Sequence, residues 1–210
     1  MNIKVCGITQ LKQLQQLDAL GIDFAGFIFC IDSPRYAKDK IMPSDVADAD
    51  FDLKKVGVFV DMAFDEIMKI ADDYKLDCVQ LHGNENLKLC DALSKELEVI
   101  KTFHVHNSSI ETVNKFINDY DVCDYYLFDT ALKVGLSGGT GVQFDWNILK
   151  NLNIEKPFFL SGGISLNDVE KIKSLRHPDL FAIDINSQFE TAPGVKNLTQ
   201  VVQFKKELKG

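Results

Sequence analysis

The 210-residue sequence lacks any apolar run near the roughly 18 residues a membrane-crossing helix needs, and it is read as a soluble chain. It also lacks a basic stripe: Lys and Arg are scattered and the formal net charge is −8, which argues against nucleic acid as a partner. A small anionic ligand stays open, because backbone amides bind phosphate locally even in an acidic protein. No pair among the five cysteines (Cys6, Cys30, Cys78, Cys90 and Cys123) shows C-x-x-C spacing, so neither a zinc ribbon nor a dithiol redox site is indicated. Cys30, Cys78, Cys90 and Cys123 are expected to be small buried hydrophobes in a reducing cytoplasm. The opening Met1-Asn2-Ile3-Lys4-Val5 enters a strand at once and has no signal-peptide layout. Low-complexity segments and interdomain linkers are absent, and a 46% hydrophobic composition suits one compact domain over residues 1–210.

Short apolar runs alternate with helix-period segments along the chain. Strands are expected at Ile3–Cys6, Phe24–Phe29, Lys55–Val60, Cys78–Leu81, Val99–Phe103, Tyr125–Phe128, Phe158–Leu160 and Phe181–Ile183. Helical patterns cover Thr9–Leu20, stopped by Gly21, then Phe64–Tyr74, Asn86–Leu97, Ile110–Tyr120, Phe144–Leu149, Leu166–Leu175 and Leu198–Leu208, with a short one at Pro43–Asp48. Strands this short and this apolar indicate a parallel sheet buried on both faces. Eight β–α repeats fill the chain, so the expected fold is α/β, a single-domain (β/α)8 TIM barrel, with a doubly wound sheet as the rival. The barrel is favoured because polar and glycine-rich signals follow strand after strand, as a catalytic ring of βα-loops requires.

Those strand ends hold the candidate site. Lys4-Val5-Cys6-Gly7-Ile8-Thr9 puts a thiol where the first strand meets its loop, with Thr9 placed to cap the next helix. Asp129 directly follows the apolar run of the sixth strand, and Cys6 and Asp129 are the two proton-transfer candidates. Arg35, in a loop shaped by Pro34, suits a carboxylate or phosphate, or else a surface ion pair. Asp61 is expected to cap the third helix, and Gln80 and His82 to line the substrate. His104 and His106 look like ordinary loop histidines, and Ser137–Gly141, with Gly139 at its centre, is a glycine-rich loop suited to close ligand contact. Gly162 and Gly163 after strand seven, with Asn186 and Ser187 after strand eight, fit the common phosphate position of such barrels.

These residues together resemble the phosphoribosylanthranilate isomerase family of tryptophan biosynthesis. The likeness runs through Lys4–Thr9, Gly26–Phe29 with Ser33-Pro34-Arg35, Gly57–Val60, Val79–Gly83, Phe128–Thr130, Gly138–Gly141 with Phe144–Trp146, Leu160–Ile164 and Pro193–Lys196. The resemblance implies that Cys6 is the general base, Asp129 the general acid and Arg35 the ligand of the anthranilate carboxylate. It further implies an Amadori rearrangement of N-(5-phosphoribosyl)anthranilate to the 1-deoxyribulose 5-phosphate form, with no metal and no cofactor. The implied partner is a small phosphorylated substrate, with the protein a monomer or homodimer. The eighth strand departs from the family: Asp184-Ile-Asn186-Ser187-Gln188-Phe-Glu190 stands where serines and then a glycine are usual. Asn197 stands where aspartate is more frequent. The alternatives are a non-catalytic phosphosugar-binding barrel or another phosphosugar enzyme. Among these, a strand-end lysine such as Lys101 would favour an indole-glycerol-phosphate synthase, and paired aspartates a histidine-pathway isomerase.

Overall fold

Eight strands, β1 (Asn2–Cys6), β2 (Phe24–Ile28), β3 (Lys54–Phe59), β4 (Cys78–Leu81), β5 (Glu98–His104), β6 (Tyr125–Asp129), β7 (Phe158–Leu160) and β8 (Leu180–Ile185), pair in parallel and in sequence order. β1 closes the barrel against β8, with Lys4 level with Asp184. The computed structural model describes residues 1–105, 110–130 and 143–210, so His106 and the Ser137–Gly141 loop, Gly139 included, lie outside the described residues. Seven helices, α1 (Leu11–Ala19), α2 (Pro43–Ala47), α3 (Phe64–Tyr74), α4 (Leu87–Leu93), α5 (Ile110–Asp119), α6 (Val169–Leu175) and α7 (Leu198–Lys209), occur among those residues. None is long and apolar enough to cross a membrane.

Strand periodicity divides the side chains between two environments. Alternate residues of the strands point into the barrel, where Phe24, Val56, Cys78, Ile100, Leu127, Phe159 and Ala182, one from each strand after the first, pack as a closed apolar floor. The intervening residues, among them Ile3, Val5, Phe27, Val79, Val99, Phe128 and Ile183, join the helices in the larger core. The apolar floor is one end of the interior. Further along, the inward positions of β2 and β3 stay apolar at Ile28 and Val58, packed with Cys6, while the other strands turn polar there: Lys4, Gln80 and His82, Thr102 and His104, Asp129, Ser161, Asp184 and Asn186.

Several local expectations change. Thr9 does not cap α1: Gln10 holds that position, and the Thr9 hydroxyl donates instead to the Gly194 carbonyl at 2.7 Å. Asp61 does not cap α3 either. It has φ 48°, Ala63 is the cap residue, and the Asp61 carboxylate accepts from the Asn84 amide at 2.7 Å, joining the loops after β3 and β4. Phe144–Leu149 is not an α-helix; a 3₁₀ turn runs over Trp146–Asn151. Asp145 accepts from the Asn147 amide, and the Asn151 side chain donates to the Asn147 carbonyl, local bonds that compete with the α ladder.

After β8 the chain makes a short antiparallel hairpin of β9 (Glu190–Ala192) and β10 (Val195–Lys196), which carries two charged side chains back over the mouth. The departures near it are accommodated. Gln188 lies in a 3₁₀ turn, Ser187–Phe189, and is not among the residues with positive φ, so this loop does not require glycine there. Asn197 does a capping aspartate's work, accepting from the Gln200 amide at 3.3 Å at the start of α7.

Candidate active site

Cys6 and Lys4 lie on the inward face of β1, two residues apart. Both reach into space left by Gly26 on β2: an added Cβ there would lie 2.8 Å from Cys6 Sγ and 3.1 Å from Lys4 Nζ. Lys4 is fully buried and its ammonium donates to Asp184 Oδ1 at 3.0 Å, while Ser161 Oγ donates to the other carboxylate oxygen at 3.4 Å. Burial alone would lower the Lys4 pKa; the charges of Asp184 and Cys6 and the hydrogen bonds to them together outweigh that and hold it above the ordinary value. Burial also pushes the Cys6 thiol up, against the pull of the Lys4 and Lys196 ammoniums. The thiolate therefore has two cations to lean on, though neither brings the unliganded thiol down to neutral pH.

Asp129 ends β6 on the opposite side of the mouth. Its Oδ1 accepts from the Thr130 amide at 2.7 Å, and its Oδ2 lies 3.4 Å from His82 Nε2. Burial alone would raise this carboxyl, but the bond to His82 and the Thr130 amide outweigh it and hold it below the usual range. In the unliganded site the contact with His82 thus favours the charged carboxylate, and Asp129 must gain a proton before it can act as an acid. His82 Nδ1 accepts from Gln80 Nε2 at 3.0 Å and meets Thr102 Oγ1 at 3.2 Å, which leaves the ring proton on Nε2 facing Asp129. Gln80 and His82 thus act on the site by orienting Asp129. Asp184 stands within electrostatic reach of both Cys6 and Asp129, so thiol and carboxylate share one mouth.

Gly162 and Gly163, at the end of β7, both have positive φ, 96° and 65°. At Gly162 an added Cβ would fall 2.1 Å from Thr130 Oγ1, so only glycine lets the β7 loop run this close to the residue beside Asp129. Among the described residues, the Gly162 and Gly163 amides have no hydrogen-bond acceptor. Asn186, across β8, accepts from Lys196 Nζ at 2.8 Å. Neither loop contains a cation of its own, but the hairpin brings Lys196 beside the β8 loop.

Arg35 is not at the surface. It is 5% exposed and its fork embraces Glu190: Nε lies 3.0 Å from both carboxylate oxygens and Nη2 2.7 Å from Oε2. Lys196 Nζ donates to the same carboxylate at 2.6 Å. Burial alone would raise the Glu190 carboxyl, but the two cations hold it below the ordinary range. Two positive groups on one carboxylate leave the cluster with a net positive charge at the mouth. Lys101 plays no part there. It points out of the barrel and pairs with Glu85 at 2.7 Å, removing the strand-end lysine of the synthase alternative.

Sequence reasoning missed Lys4, Asp184, Glu190, Lys196 and Thr102 as parts of the site. Lys4 and Asp184 carried a signal: each is a charge inside an apolar strand, two residues before a site position, and so on the same face. Glu190 carried none, and Lys196 only its place in the Pro193–Lys196 motif, because two- and three-residue strands show no periodicity. Of the other cysteines, Cys78, Cys90 and Cys123 are buried as expected, and Cys30 is half-buried.

Residues 3–207 match the family model of N-(5'-phosphoribosyl)anthranilate (PRA) isomerase. The N-(5'-phosphoribosyl)anthranilate isomerase of Parabacteroides distasonis is 39% identical over 206 residues, 97% of this chain and 91% of that one. That of Petrotoga mobilis is 40% identical over 204 residues, 94% of this chain and 92% of that one. The crystal structure of a phosphoribosyl anthranilate isomerase in complex with reduced 1-(o-carboxyphenylamino)-1-deoxyribulose 5-phosphate superposes with a TM-score of 0.81 at 30% identity, covering 100% of this chain and 99% of that one. With the closed barrel, a thiol and a carboxylate at its mouth and a family match spanning residues 3–207, the chain belongs to the N-(5'-phosphoribosyl)anthranilate isomerase family.

Proposed function

We propose that Cys6 and Asp129 are the base and acid with which this protein converts N-(5'-phosphoribosyl)anthranilate to 1-(2-carboxyphenylamino)-1-deoxyribulose 5-phosphate, a step of tryptophan biosynthesis. The observation that carries the reading is that Cys6 ends β1 and Asp129 ends β6 at the same edge of one closed parallel barrel, so both groups stand at one mouth. In the reaction Asp129 protonates the furanose ring oxygen, opening the ring to a Schiff base. Cys6, as thiolate, then removes the C2 proton, and the resulting enol tautomerises to the ketone.

Both groups must change protonation state from the unliganded site. A substrate bearing a carboxylate and a phosphate brings negative charge into the mouth and expels water, which raises Asp129 towards its acid form. The same charge works against the Cys6 thiolate, so Lys4 and Lys196 are the groups that sustain it. Arg35 takes the anthranilate carboxylate, exchanging part of its contact with Glu190 for the ligand. Gln80, His82 and Gly139 line the substrate, and Gln80 and His82 also hold Asp129 in place. The amides of Gly162, Gly163, Asn186 and Ser187 hold the phosphate, with Lys196 alongside. The ligand of the 30% identical relative carries the same two anionic groups and supports this layout. Five free thiols suit a reducing cytoplasm.

Steady-state fluorescence on freshly made substrate tests the assignment, because substrate and product differ in emission. Cys6→Ser and Asp129→Asn should each lose on the order of 10²-fold or more in kcat while substrate still binds. Near-normal turnover in either variant would remove that residue from its role.

A further inference from the structure

His104 has no part in the isomerisation chemistry above, and its surroundings are unusual for a loop histidine. Its Nε2 lies 3.1 Å from the His82 carbonyl oxygen, which can only accept, so Nε2 carries the proton and Nδ1 presents a bare lone pair. That Nδ1 is buried and, among the described residues, has no hydrogen-bond partner. An imidazole that donates one N–H to a backbone carbonyl while its other nitrogen stays free is the arrangement in which histidine binds metals. The His82 ring stands edge-on to it, centroids 5.2 Å apart, and Asp129 completes a trio. One nitrogen from each ring and one carboxylate oxygen lie within 4.8 Å of one another.

We propose that His82, His104 and Asp129 form a binding site for a divalent transition metal of the zinc class, and that an ion bound there shuts the enzyme off. Two imidazoles and a carboxylate are a donor set such ions accept, with at least one position left for water. β5 and β6 set the spacing, since His104 and Asp129 are directly paired residues in their register. Binding requires His82 Nε2 to give up its proton. A proton moved to Nδ1 finds the Thr102 hydroxyl at 3.2 Å, and a half-turn of the Gln80 amide would offer it Oε1, a buried oxygen without a partner among the described residues. An ion held by the Asp129 carboxylate blocks its protonation, so occupancy and turnover exclude each other. The inhibition rests on Asp129 being the acid; the binding does not.

The probe is Co²⁺, then Zn²⁺, titrated into the untagged protein at about pH 7.5, where free histidine is neutral. One equivalent of Co²⁺ should give visible absorption that Zn²⁺ abolishes, and Zn²⁺ should stop turnover reversibly over the same concentration range. His104→Ala should keep metal-free turnover but lose more than about 100-fold in metal affinity, beyond what changes to ligand-orienting groups cost. His104→Gln serves if circular dichroism shows that the alanine variant misfolds. The site is overturned if wild type binds no Co²⁺, or if a folded His104 variant binds it as tightly. If Co²⁺ binds and His104→Ala abolishes binding, yet Asp129→Asn turns over normally, the metal site stands and the acid assignment falls.

Discussion

Gly26 allows a demanding test, because a single methyl group added there probes the base without touching its chemistry. In Gly26→Ala the new Cβ would lie 2.8 Å from Cys6 Sγ and 3.1 Å from both Cys6 Cα and Lys4 Nζ. Comfortable non-bonded separations are about 3.5–4.0 Å, so the sulfur must retreat by roughly 0.7 Å or more. The Cys6 Cα belongs to the paired strand β1, so part of the overlap cannot be relieved by side-chain rotation alone. Overpacking of this kind costs about 1–3 kcal/mol. For a domain of this size that corresponds to a fall in Tm of about 2–12 °C. The catalytic effect should be larger in proportion, since a displacement near 1 Å costs on the order of 10²-fold in rate. Thermal unfolding and the fluorescence assay on one preparation supply both numbers. A variant with wild-type kcat and wild-type Tm would mean that Cys6 Sγ does not occupy the space above Gly26, and the described base geometry would be wrong.

Three further outcomes follow from the same geometry. Arg35→Ala should raise KM with a smaller change in kcat, and Arg35→Lys should restore only part because the planar fork is lost; an unchanged KM would confine Arg35 to its pair with Glu190. Glu190→Gln strands two buried cations and should cost about 3–5 kcal/mol by urea unfolding at pH 7. The Glu190 pKa is depressed in the fold, so its contribution is present above the unfolded value of about 4.3 and disappears as pH falls through the folded one; wild type and variant should converge in acid, and a pH-independent difference would refute the pairing. Gly163→Ala must hold φ 65° at a cost of about 1–2 kcal/mol, and by shifting the loop amides it should weaken inorganic phosphate, a result that equal binding in a titration would overturn.

By itself the sequence determined the barrel and singled out the two groups proposed to react. Eight short apolar strands alternating with 3.6-period segments leave a parallel sheet little alternative to burial on both faces, and Cys6 and Asp129 are legible because each ends an apolar run at the catalytic edge. Where local side chains compete with the backbone the reading slipped, as at Thr9, Asp61 and Trp146–Asn151: a hydroxyl or carboxylate next to a helix caps it only if no better partner lies elsewhere in the fold. Only tertiary structure decided the electrostatics. Closing the barrel sets Lys4 beside Asp184, 180 residues away, and the hairpin after β8 folds Glu190 onto Arg35, 155 residues away. The electrostatics of Cys6 depend on Lys4, Asp184 and Lys196 and those of Asp129 on His82, and the meeting of His82, His104 and Asp129 depends on the register of β5 with β6. No spacing along the chain encodes them, because residues on neighbouring strands become neighbours through sheet register.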